Sequence, residues 1–184
     1  MTLLEKVVRG IDRVSEWTAA GLMWLTSAMV LITAYNVFER YFLHHNTSSL
    51  IELNWHFYSL IYLLGAAYTF KHDGHVRVDL VYHRLSPRAK TWVNLFGTVF
   101  FMLPVCFVIV YVSLHHRLGF NFSFVGRSWH TLERSPDPGG LPARYLLKAA
   151  LPLGFFMLAV QGIAEIIRNV LQLKGRVPFP REYS

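Results

Sequence analysis

Glu52 and His56 stand four residues apart, one above the other if the segment is helical, and a carboxylate beside an imidazole is a pairing that proton relays use. No charged residue continues the path through 57–70, so a proton taken up there has no next station. Nine histidines raise the question of haem, whose axial ligation needs histidines on facing helices at similar depth. Only His56 falls inside an apolar segment; His44, His45, His115 and His116 lie at segment ends. Cys106, the single cysteine, cannot form an intramolecular disulfide, a CxxC redox pair or a thiolate metal site. No nucleophile, base and metal ligand can be gathered at one depth, so the sequence reads as neither an enzyme nor a cofactor protein.

These residues sit on elements of unusual composition. The 184 residues are 53% hydrophobic and 15% aromatic but only 16% charged, outside the balance of a soluble domain. We read an all-α integral membrane protein, one domain over 1–184, with transmembrane helices at about 17–38, 50–70, 91–114 and 144–167, each long enough for a bilayer that needs roughly 20 apolar residues. Residues 1–16 and the loop around 76–85 mix charged and apolar residues at helical spacing, which predicts short amphipathic helices on the membrane surface. The net charge of +7 lies in short clusters between apolar runs, not on a basic face with interleaved aromatic residues, which excludes a nucleic-acid partner and favours membrane lipids. With the N-terminus inside, twelve of the eighteen Lys and Arg fall on the inner side against five outside, so both termini and the tail 168–184 are expected in the cytoplasm.

Local signals refine this frame. Ser49 and Glu52 have capping-box spacing, while an alternative use of Glu52 is an ion pair with Arg40 across the outer ends of the first two helices. Ser86-Pro87 reads as the cap and first position of the third helix. Pro104 and Pro152 are expected to bend the third and fourth. Gly65, Ala66 and Ala67, and separately Ala150 and Gly154, offer close approach to another helix backbone. Between the third and fourth helices, 118–132 is aromatic and carries Trp129, and 135–142 is turn chemistry. Ionisable residues avoid the middle of the apolar runs, whereas transport pathways place charge or broken helices there. The chain is therefore not a transport pathway by itself.

Five stretches in order carry a resemblance: Asn36-x-x-x-Arg40-Tyr41, Glu52-Leu53, Leu64-Gly-Ala-Ala67, His72-Asp-Gly-His75-Val-Arg-Val-Asp79 and Ser135-Pro-Asp-Pro-Gly-Gly-Leu-Pro142. Together they look like the small (Q-type, DctQ-like) membrane subunit of tripartite ATP-independent periplasmic (TRAP) transporters, over about 36–168. The resemblance implies a bacterial inner-membrane scaffold, with no substrate, metal or cofactor site of its own. Its implied partners are a large elevator-type membrane subunit, which takes up an organic acid with sodium ions, and a periplasmic substrate-binding protein that delivers the acid. His44-His45 departs from the smaller polar turn expected there. The residues expected to carry structure or partner contact are Asn36, Arg40, Tyr41, Glu52, Gly65, Ala66, Ala67, His75, Asp79 and Trp129. The alternative is a haem-binding or other anchor subunit of a respiratory or dehydrogenase complex.

Overall fold

The computed structural model describes residues 3–45, 47–72, 82, 85–115 and 123–175. Within them the chain is all-helical: α1 (Leu3–Phe42), α2 (Ser48–Lys71), α3 (Pro87–Leu114), a short α4 (Phe124–His130) and α5 (Arg144–Leu173). Three of these, α1, α3 and α5, are long and apolar enough to cross a membrane.

The N-terminal amphipathic segment does not break away to form a separate helix. It is the first turns of α1, a single helix of 40 residues and about 60 Å at a rise of about 1.5 Å per residue. Glu5 in the first turn and Arg40 in the last oppose the partial charges of the helix ends. Along α1 the hydroxyls of Thr18, Thr26, Ser27 and Thr33 each donate to the carbonyl four residues back. An exposed hydroxyl satisfied by its own helix can face an apolar solvent at little cost.

α3 begins as its residues require: Ser86 Oγ accepts from the Ala89 amide at 3.3 Å and Pro87 occupies the first turn. Pro104 has no N–H, and its ring would strike the carbonyl four residues earlier. The helix answers with a π-helical turn over Thr98–Met102, in which the Leu103 amide reaches back to the Thr98 carbonyl.

α5 is the centre of the fold and packs on all four other helices, whereas α3 makes no substantial contact with α1. Two glycines of α5 explain how partners come so close. A Cβ on Gly154 would stand 2.7 Å from the Leu63 carbonyl oxygen of α2, and one on Gly162 would meet the Met102 side chain of α3. With no side chain at these points, the α5 backbone meets the α2 backbone at Gly154 and α3 side chains at Gly162 at distances where dispersion is strongest, which is what holds helices together in lipid.

Candidate functional site

The polar residues gather at the two ends of the bundle and tie helices to one another. At one end α1, α2 and α5 meet. Arg168 Nη2 of α5 donates to both Asp12 oxygens of α1, at 2.9 and 3.2 Å, and its Nη1 to Glu165 at 2.5 Å. Gln161, fully buried, donates to Asp12 at 3.0 Å and accepts from Ser15 Oγ at 2.8 Å, so both ends of its amide are used. Glu16 takes Lys71 at 2.5 Å and His72 at 3.0 Å from the end of α2. Asp12, Ser15 and Glu16 escaped the sequence reading because the segment was assigned to the membrane surface. The spacing Asp12-x-x-Ser15-Glu16, facing an isolated Gln161 in an apolar run, was the available signal.

At the other end Glu52 holds the loop 135–142. One carboxylate oxygen accepts from Ser135 Oγ, the other from the Leu141 amide at 2.6 Å. Ser49 Oγ donates to the Gly139 carbonyl. Gly140 packs so tightly that a Cβ would stand 2.5 Å from Ser135 and 2.8 Å from Glu52 Oε1. The expected capping box therefore does not form: Thr47 is the N-cap and makes no side-chain cap bond, and Ser49 and Glu52 face the loop instead. The expected Arg40–Glu52 ion pair is absent among the described residues. Arg40 is exposed at the end of α1, and both Glu52 oxygens are taken by donors in the loop.

A second anchor lies beside it. α4 ends on Leu132 at φ 45°, with the Leu132 amide bonded to Trp129 and the Glu133 amide to Ser128, and this turn swings Glu133 back toward α5. There Glu133 accepts from Lys148 and from buried Ser128 Oγ, with Arg144 Nε 3.9 Å away. The Lys148 ammonium and then the Ser128 hydroxyl hold the Glu133 carboxyl below its ordinary range. Trp129 is half-exposed and sets its ring edge-on against Tyr145 at 5.1 Å.

The remaining candidates divide by exposure. Asn36 is half-buried, while Tyr41 is exposed beside Arg40. Ala67, 1% exposed, is consumed by packing inside the chain. Gly65 and Ala66 instead line an open groove of about 550 Å³ with Ala19, Thr26 and Gly154. His75 and Asp79, with most of the charged stretch and all of the expected helix around 76–85 except Tyr82 and Leu85, lie outside the described residues. Glu39, not singled out from the sequence, is buried near the end of α1 and accepts from Thr47 Oγ1 at 2.8 Å. Among the described residues no group of three or more His, Cys, Asp or Glu is placed to hold a metal ion.

Comparison with known proteins gives one family. The family described as tripartite ATP-independent periplasmic transporters, DctQ component, matches residues 29–172 of the 184. No curated protein and no solved structure matches the chain.

Proposed function

The chain belongs to the DctQ component family of tripartite ATP-independent periplasmic transporters, and from that premise we propose that it is the scaffold subunit on which a large elevator-type membrane subunit moves. Members of this family are transporter components and not enzymes, and membership displaces the haem-anchor reading. In this proposal the large subunit takes up an organic acid with sodium ions, delivered by a periplasmic binding protein. The small subunit lies in the bacterial inner membrane with four spans and both termini in the cytoplasm. At 24 residues and about 36 Å, α2 has the length of the fourth span.

A moving transport domain must push against something fixed. Helices added to the fixed part widen its footprint in the bilayer and resist tilting. The observation that supports this role is that α1, α2 and α5 are tied together at one end and α2 holds the 135–142 loop at the other, while Gly65 and Ala66 stay open between them. We assign this groove to the large subunit, because small residues let a further helix backbone come near.

Co-purification of the two subunits tests the assignment. A Cβ at Gly65 meets only Leu22 Cδ1 at 3.6 Å, so Gly65→Ala should leave the complex intact, while Gly65→Leu fills the groove and should lower its recovery. Equal recovery with Leu would remove the groove from the interface. The chain alone in sealed vesicles should accumulate no carboxylate, and accumulation would overturn the scaffold role.

A further inference from the structure

The N-terminal third of α1 has two apolar sides, and the fold uses one. Val8 and Ser15 are buried and Asp12 is bonded to Arg168, so that side faces the chain. The second side starts a line at Val7 that recurs after three and four residues alternately as far as Phe42. Every position on the line is apolar, aromatic or glycine, and the six charged residues between 5 and 16 all avoid it. All but half-buried Ala28 are exposed, Trp17 by 76% and Trp24 by 80%. A heptad line sustained over this length is the seam by which one helix winds on another.

Lipid cannot cover all of it. Glu16 is bonded to Lys71, the last residue of α2, so the residues before 16 run about 20 Å past the end of that span. A headgroup layer is only about 5–8 Å deep. Exposed Val7 and Gly10 therefore stand in water unless a partner covers them. A second copy does not fit either. Two copies inserted in the same direction pair like with like across a two-fold axis, which stacks Trp17 on Trp17 and Trp24 on Trp24 and holds the Gly21 layer between them apart. Self-pairing also brings together Lys6 and Arg13, which flank the seam one heptad apart, exposed and in no ion pair among the described residues.

We propose that this seam docks a helix of the large membrane subunit that runs beside α1 through the bilayer and past it. That helix places small side chains opposite Trp17 and Trp24, larger ones opposite Gly10 and Gly21, and carboxylates opposite Lys6 and Arg13. A Cβ at Gly10 or Gly21 would meet nothing within 4 Å in this chain, so the room at both is unused by its own fold. The inference rests on the scaffold reading and adds a second contact to it, because the Gly65 groove takes Leu22 and Thr26 of α1, which lie off the seam.

The chain, co-expressed with its large subunit, tests this with a photo-cross-linker placed in turn at Gly10, Trp24 and Leu31 on the seam and at Val30, exposed but off it. The three seam positions should capture the large subunit and Val30 should not. Lys6→Glu combined with Arg13→Glu should lower recovery of the large subunit about tenfold, while Lys6→Arg with Arg13→Lys keeps it. Gly21→Leu should lower recovery although the chain alone unfolds at an unchanged midpoint, which separates lost docking from misfolding. Capture of a second copy, cross-links to lipid alone, or equal capture from Val30 would overturn the proposal, as would full recovery with both the charge reversal and Gly21→Leu. If Gly65→Leu lowers recovery and the seam variants do not, the seam falls and the groove stands. If the unaltered chain recovers no large subunit, the scaffold reading falls and takes the seam with it.

Discussion

Gly154 of α5 lies so close to the main chain of Leu63 in α2 that a single added carbon would stand 2.7 Å from its carbonyl oxygen. Backbone, unlike a side-chain tip, cannot rotate away, so Gly154→Ala must push the two helices apart. Overpacking of this kind costs about 1–3 kcal/mol. A Cβ on Gly21 of α1 would meet nothing within 4 Å, so Gly21→Ala is the matched control. Thermal unfolding of the purified chain in detergent should show a lower midpoint for the first and no loss for the second. Equal midpoints would mean that the α2–α5 crossing can widen by a methyl group at no cost.

The Asp12–Arg168 pair joins positions 156 residues apart and should behave as a unit. Both side chains keep roughly a fifth to a quarter of their surface exposed, so solvent screens the pair in part. Removing either should cost about 2 kcal/mol, the range for a hydrogen bond to a charged group. Asp12→Ala, Arg168→Ala and the double variant form a cycle whose coupling should reach about 1 kcal/mol. Additive losses would show that the two residues contribute separately.

What could be read in advance was local. Ser86 and Pro87 are adjacent to the helix they start, so cap and first turn were legible without a fold. The long apolar runs identified α1, α3 and α5 for the same reason. Glu52 was misassigned because its donors lie 83 and 89 residues away, and the nearest plausible partners, Ser49 and Arg40, looked sufficient. The π turn before Pro104 was half-legible: a proline requires some distortion, but its form depends on how Thr98 and Met102 meet Gly162. Of the small residues 65–67, spacing could not say that Ala67 turns inward while Gly65 and Ala66 stay open.

Leu132 holds a left-handed conformation, φ 45°, at the position after a helix where glycine is favoured. For an L side chain that costs roughly 1–2 kcal/mol. The side chain is exposed and gives up little burial, so Leu132→Gly should stabilise the chain by about 1 kcal/mol and raise the unfolding midpoint. A lower midpoint would mean that the leucine is covered in the folded protein.

Glu52→Gln keeps the shape of the clamp but removes its charge. The Leu141 amide, which donates to Glu52 at 2.6 Å, should then exchange its hydrogen about tenfold faster, as expected for losing charge assistance of about 1.5 kcal/mol. Exchange mass spectrometry of peptides covering 135–142 reads this directly. Protection equal to that of the unaltered chain would assign the ordering of the loop to its prolines and not to Glu52.

Glu133 makes the packing of α4 against α5 sensitive to acid. Lys148 and Ser128 lower its folded-state carboxyl pKa below the unfolded value of about 4.3. A carboxylate depressed in this way contributes stability that is complete above the unfolded pKa and disappears as pH falls through the folded one. Midpoints measured from about pH 6 down to about pH 3 should therefore separate the unaltered chain from Glu133→Gln at the upper end and bring them together at the lower. Other carboxylates titrate in both proteins, so the difference between the curves isolates Glu133. Parallel curves would show that Lys148 gains nothing from the charge, and that the turn at Leu132, not the ion pair, holds α4 against α5.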